Sequence, residues 1–252
     1  MFSHININCD LGEIDPTFHL EEMILPYVSM CNIACGGHAG NETSLKSVMK
    51  LAYDNNVLIG LHPSYNDPAN FGRLSPTVTQ EQLRDDVMRQ LDKGFFISEK
   101  GKYIIHHIKA HGALYHDLSK SEKLSNFFLD LIDTYNLKVK IMGLPNSKLE
   151  LACHQRDYNY IREGFGDRAY RTDGSLVNRT INGSVYDDID KITKQAIELH
   201  NFKGVETFDG DIIDLEIDSI CYHSDAPNSI ENLKKLQSRL KQMGIGIYKI
   251  SK

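Results

Sequence analysis

The chain has no cysteine framework. Its five cysteines, Cys9, Cys31, Cys35, Cys153 and Cys221, form neither a CxxC pair nor an even set. That excludes a disulfide scaffold and is expected of free thiols in a reducing compartment, here the cytoplasm. Long apolar runs are also missing: no window approaches the ~18 consecutive apolar residues of a membrane span. The opening residues MFSHININCD have neither the basic nor the apolar region of an export signal, so neither membrane nor export is expected. Positive charge is sparse, with 28 Lys plus Arg against 34 Asp plus Glu and a formal net charge of -6. Without a basic cluster such a surface repels a polyanion, and nucleic acid is not an expected partner. No repeat, low-complexity tract or Pro/Gly/Ser linker divides the chain. Residues 1–252 are therefore read as one catalytic domain, a length that closed α/β barrels use routinely.

Short apolar or alternating runs recur at Ile5 to Asp10, Val28 to Ala34, Val57 to His62, Ile104 to Lys109, Val139 to Met142, Tyr160 to Glu163, Ser219 to His223 and Ile245 to Ile250. These read as strands. Most gaps between them carry helical periodicity; Leu124, Phe127, Phe128, Leu131 and Ile132 trace one face of a helix. Thr79 with Gln82, and Asn228 with Glu231, have the spacing of capping boxes. Strand alternating with helix implies parallel pairing, in a barrel or a doubly wound sheet. Strand polarity chooses between them. Asn6, Asn8 and Asp10 share one face of the first strand, and His107, Lys109 and His111 share one face of the fourth. A strand covered by helices on both sides reads as nearly continuous apolar sequence, so these polar faces imply a barrel with a wet centre. The one long irregular stretch, Gly164 to Tyr186, is expected to be a lid or binding loop.

Asp10 ends the first strand, where barrels place catalytic groups; it can serve as a base or a ligand, or cap the following segment. The Asn32 to Gly40 loop holds three glycines around His38 and can present N–H groups to an anion. It lacks the lysine and spacing of a Walker A motif, and a tight turn without a ligand is the better reading. Cys31 and Cys35 are roughly 13 Å apart along a strand, too far to share a zinc ion. His62 ends the third strand before Pro63 and lies on the same side as Asp10, His38 and His111, which points to a shared site. Lys109, beside two imidazoles, can lose its proton or pair with a substrate anion. Arg73, Arg168, Arg171 and Arg179 lie in loops, where each can grip a carboxylate or phosphate or remain solvated.

Taken together, NCDLGE at 8–13, NIACGGHAG at 32–40, HPSY at 62–65, FGR at 71–73, KAHGALY at 109–115, EGFGDR at 163–168, DGSLV at 173–177 and CYHSD at 221–225 resemble the LamB/YcsF lactam-utilisation family. The resemblance runs from the first strand to the last. It implies a seven-stranded β/α barrel of the glycoside hydrolase/deacetylase type. It further implies ATP-coupled opening of 5-oxo-L-proline to L-glutamate by an A subunit that works with B and C subunits. Carried over by motif, the site positions are Asp10, Glu13, His38, His62, Lys109, His111, Glu163, Asp167, Arg168, His223 and Asp225; Asn32 and Arg73 join them as candidate substrate or nucleotide contacts. Three positions depart from the family's pattern, which has an aromatic residue at Gly37, a proline at Ala110 and a glycine at Ser224.

A five-membered lactam is a resonance-stabilised amide, so phosphorylating its oxygen with ATP, carried as the Mg2+ complex, would make the ring carbon electrophilic. Asp10 or His111 is then the expected base, with Lys109 and an arginine stabilising the phosphorylated intermediate. Tightly bound transition metal is not expected. Two rivals remain: a metal-dependent deacetylase or amidohydrolase using Asp10, His62 and His111 as ligands, and a lactam-binding subunit that serves a catalytic partner.

Overall fold

The structure, a computed structural model, describes residues 3–14, 16–201, 204–223 and 228–249. Among these residues the strands are β1 (Ser3–Ile5), β2 (Ile7–Leu11), β3 (Met30–Ala34), β4 (Leu58–His62), β5 (Ile105–Lys109), β6 (Lys140–Gly143), β7 (Tyr160–Phe165), β8 (Val205–Glu206), β9 (Ile212–Ile213), β10 (Ser219–Cys221) and β11 (Ile245–Ile247). The helices are α1 (His19–Ile24), α2 (Glu42–Asp54), α3 (Gln80–Gly101), α4 (Gly112–Lys120), α5 (Glu122–Asp133), α6 (Lys148–Gln155), α7 (Ile189–His200) and α8 (Ser229–Gln242). Seven strands in the order β10-β2-β3-β4-β5-β6-β7 close into a parallel barrel wrapped by helices. This is the seven-stranded α/β barrel that the polar strand faces and the resemblance implied.

Side-chain alternation sorts the barrel wall. Ile7, Cys9 and Leu11 of β2, Cys31 and Ile33 of β3, Leu61 of β4 and Ile108 of β5 are buried in one apolar core with Leu45, Val48 and Met49 of α2, Val87 and Leu91 of α3, and Phe128 and Ile132 of α5. Each such side chain contributes roughly 1.5–3 kcal/mol when fully buried. The intervening residues point inward and are polar: Asn8, Asp10, Asn32, His107, Lys109, Glu163 and Ser219 are all buried. A separate small cluster of Met30, Met142 and Ile161, with Leu58 against it, provides the apolar part of the lumen. Met30 and Leu58 are the first residues of β3 and β4, so the cluster sits toward the strands' N-terminal ends and leaves the C-terminal mouth polar.

Three local readings change. The run Ile5 to Asp10 is two strands, because Asn6 switches partners: β1 pairs with β11, while the Asn6 carbonyl accepts from Ile220 N and the Asn6 amide donates to Asp218 O. The eighth run, Ile245 to Ile250, accordingly supplies β11 outside the barrel. Thr79 and Gln82 form a reciprocal capping box on α3, but Asn228, at φ 59°, makes no side-chain cap on α8. The Gly164 to Tyr186 stretch begins inside β7 and is packed rather than loose. Gln195 of α7 donates to the Phe165 and Arg168 carbonyls, and single bridges join Arg168 to Val185 and Tyr170 to Leu176. All five cysteines are buried and none is in a disulfide, and no helix among the described residues is long and apolar enough to cross a membrane.

Candidate active site

β2, β5 and β7 each carry near their C-terminal ends an ionisable side chain that points into the barrel. Lys109 Nζ donates to Asp10 Oδ1 at 2.9 Å and lies 2.8 Å from Glu163 Oε1. Cys221 Sγ, from β10, is 3.5 Å from the same ammonium. Burial alone would lower the Lys109 pKa, but Asp10, Cys221 and Glu163 reverse that and hold it well above its ordinary value. Burial would raise the Asp10 carboxyl, yet His62 and Lys109 overcome it and hold the group well below the usual carboxylate range. Lys109 is thus held in its charged form and paired with carboxylates of the chain itself, an arrangement that disfavours the loss of its proton.

Beneath this triad, Asn32 Nδ2 donates to Asp10 Oδ1 at 2.7 Å and to Asn8 Oδ1 at 2.9 Å. Its carbonyl oxygen must then accept from His107 Nε2, 2.7 Å away. Burial keeps His107 neutral, its pKa well below the ordinary value. The imidazole fits because residue 60 is glycine: a Cβ there would stand 2.3 Å from His107 Nε2. This polar floor fixes the amide of Asn32, and through it one oxygen of Asp10.

At the mouth, Glu13, His38, His62 and His111 converge. His38 Nε2 donates to Glu13 Oε1 at 2.9 Å, and the same oxygen is 3.4 Å from His111 Nδ1 and 3.9 Å from His62 Nε2. His62 Nδ1 lies 2.7 Å from the Lys109 carbonyl, and His111 Nε2 3.0 Å from the Phe71 carbonyl. His62 Nε2 faces His111 Nδ1 at 3.0 Å and Asp10 Oδ2 at 3.3 Å. The His38 and His111 rings stack with centroids 3.5 Å apart. Burial lowers the pKa of both, that of His111 further because His62 and His38 stand beside it. The Gly72 carbonyl accepts from Ala113 N just beyond His111, and Gly112 has φ +54° with its Cβ position 2.4 Å from that carbonyl. Only glycine tolerates such an approach, and it holds the Phe71–Arg73 segment against the start of α4.

The remaining sequence candidates lie nearby or at the rim. Asp167 accepts from both the backbone N–H and Nδ1 of His223, at 3.0 and 2.9 Å. Burial would raise the Asp167 pKa, but His223 outweighs it and the group is lowered. Arg168 is buried and donates to the Val177 carbonyl at 2.7 Å. Burial first, and then Arg179, bring its pKa down to about 10. Arg73 is exposed, its guanidinium 4.9 Å from the Phe71 ring centroid. Arg171 is exposed, and Arg179 half-buried. Asp225 and Ser224 lie outside the described residues. Gly37 leaves no room for any side chain, since a Cβ would meet Ser64 Oγ at 2.4 Å and Gln90 Oε1 at 2.5 Å. Three contributors, Asn8, His107 and Cys221, are absent from the sequence-derived candidates. Alternation along the strands is the signal that marks all three, since each shares a face with a candidate residue. The ligand-type clusters among the described residues also differ from the set of Asp10, His62 and His111: one gathers Glu13, His38, His62 and His111, and a second gathers Asp10, Cys221 and His223.

The sequence model of the LamB/YcsF family matches residues 5–252. A protein from Campylobacter jejuni, named as the A subunit of 5-oxoprolinase, is 35% identical over 245 residues, covering 96% of each chain. A Pyrococcus furiosus protein of the same name is 31% identical over 245 residues with the same coverage. Among solved structures, the lactam utilization protein from Thermus thermophilus superposes with a TM-score of 0.88 at 26% identity, over 98% of this chain and 100% of that one.

Proposed function

The chain belongs to the LamB/YcsF family, and from that premise we propose that it opens 5-oxo-L-proline to L-glutamate as the A subunit of an ATP-dependent 5-oxoprolinase, together with B and C subunits in the cytoplasm. The relatives' names support the substrate and the multi-subunit assembly. The observation that carries the chemistry is the Asp10 carboxylate, kept ionised by His62 and Lys109 at the barrel's C-terminal mouth.

A carboxylate with so low a pKa is a weak base, so the bond it helps to break must be activated by other means. Phosphorylation of the lactam oxygen by ATP would supply that activation. It makes the ring carbon accept water, whose proton passes to Asp10; the ring C–N bond then breaks as its nitrogen takes up a proton, and the acyl phosphate left behind is hydrolysed to the carboxylate and phosphate. Lys109 and Glu163 then act by position: with the ammonium shared between two carboxylates, Oδ1 of Asp10 is fixed and Oδ2 faces the mouth. The loop arginines Arg73 and Arg179 are the groups proposed to meet phosphate oxygens. Because the sequence carries no Walker A motif, the nucleotide is proposed to bind at a subunit boundary.

The test is ATP-dependent glutamate release by the purified chain with partner subunits added one at a time. The proposal expects turnover only when this chain is present with its partners. Full turnover by the partners alone would overturn it. Tight binding of 5-oxoproline by this chain, together with full turnover by an Asp10→Asn complex, would instead make it a lactam-presenting subunit.

A further inference from the structure

The two imidazoles at the mouth pose a proton problem that a hydrogen bond between neutral rings cannot solve. Carbonyl oxygens only accept, so His62 carries its hydrogen on Nδ1, facing the Lys109 carbonyl, and His111 carries its own on Nε2, facing the Phe71 carbonyl. The nitrogens that face each other, His62 Nε2 and His111 Nδ1, are then both bare lone pairs at 3.0 Å. Something positive must lie between them, either a second proton on His62 Nε2, which also faces Asp10 Oδ2 at 3.3 Å, or a metal ion. Glu13 Oε1, 3.4 Å from one and 3.9 Å from the other, points at the same place, as does His38 Nε2, 2.9 Å from Glu13 Oε1.

We propose that Glu13, His38, His62 and His111 form a binding site for one divalent transition-metal ion of the zinc class. Two nitrogens bound at about 2.0 Å to a tetrahedral ion sit about 3.3 Å apart; the three contacts of Glu13 Oε1 and the His62–His111 pair span 2.9 to 3.9 Å, and all four donors lie within 4.8 Å of one another. Imidazole and carboxylate together suit zinc, cobalt, nickel or iron rather than magnesium or calcium. Donation of the remote ring nitrogen to a backbone carbonyl, seen for His62 and His111, is the outer contact that orients histidine ligands. The four side chains are nearly dry, with side-chain exposures of 0% for His38, 1% for His62, 7% for Glu13 and 8% for His111. An ion there would lie beside Asp10 and add Lewis acidity where an amide or phosphate oxygen would sit. The inference rests on this geometry alone and stands whether or not the substrate is a lactam.

The test uses the full chain, stripped with a chelator, desalted, and titrated with Zn2+ by calorimetry and with Co2+ by visible spectroscopy, without nucleotide, lactam or partners. The expected result is one equivalent bound at micromolar or tighter affinity, with Co2+ bands of a nitrogen and oxygen set. His62→Gln and Glu13→Gln should each weaken binding on the order of 100-fold or more, since even outer contacts are worth 10- to 100-fold. Circular dichroism reports whether each variant is folded, and Zn2+ should raise the melting temperature of the wild type only. If His62→Gln does not fold, Glu13→Gln at the mouth decides the matter. Absence of stoichiometric binding, undiminished affinity in a folded variant, or a thiolate charge-transfer band would each overturn the proposal.

Discussion

Lys109 reaches across the barrel lumen to Asp10, donating at 2.9 Å from a strand three places removed in the closed sheet. Its other carboxylate neighbour, Glu163, is fully buried. Removing one member of such a network strands the others in low dielectric, where a single unpaired charge costs about 3–5 kcal/mol. Lys109→Met should therefore lower stability by about that amount in urea unfolding, and adding Asp10→Asn should restore part of it. A loss below about 1 kcal/mol for Lys109→Met would show that the ammonium is dispensable to the floor of the site.

The fit of His107 against Gly60 makes a second prediction. A methyl group at position 60 meets the imidazole nitrogen, and overpacking of this kind costs about 1–3 kcal/mol. The cost of Gly60→Ala should shrink to within about 0.5 kcal/mol in a His107→Ala background, a coupling that a double-mutant cycle measures directly. Equal costs in both backgrounds would remove His107 as the reason for the glycine.

Histidines outside the mouth add to the loss of stability on the acid side, alongside the buried imidazoles of the mouth. Burial brings His106 and His116 down to about 4, with Lys140 and Arg168 as the next causes. A group whose folded pKa is depressed contributes full stability above its unfolded value, about 6.5, and loses it as pH falls toward the folded value. Between pH 7 and 5 the unfolded chain takes up protons that the folded chain refuses. The resulting slope is below about 1.4 kcal/mol per pH unit for each histidine, because neither is free of solvent screening. A His106→Gln/His116→Gln variant should lose less stability than the wild type over that interval in urea midpoints taken at pH 7, 6 and 5. Identical losses would contradict the assignment.

What is legible in the sequence follows from how local each signal is. The period-two alternation of Asn8 with Asp10 and of His107 with Lys109 belongs to single strands, so the polar lumen can be read, and with it the choice of a barrel over a doubly wound sheet. The capping box at Thr79 is equally local and forms. The same spacing at Asn228 does not, because that residue enters α8 from the left-handed region at φ 59° and its side chain makes no cap. The strand break at Asn6 depends on partners at Asp218 and Ile220. The packing of Gly164 to Tyr186 likewise depends on Gln195. Both contacts are non-local, and neither leaves a pattern in its own segment. The pairing of Glu13 with His38 is hidden for the same reason. Both residues are candidates from their motifs, but their contact joins segments that follow different strands.

The central claim is that the Asp10 carboxylate at the barrel mouth serves lactam opening. The most direct measurement is ATP-dependent release of glutamate from 5-oxo-L-proline by the reconstituted complex carrying Asp10→Asn, with 5-oxoproline binding and circular dichroism measured on the same preparation. The account predicts a folded, substrate-binding complex whose glutamate release falls by about 10²- to 10⁴-fold. Wild-type release by that complex would contradict it.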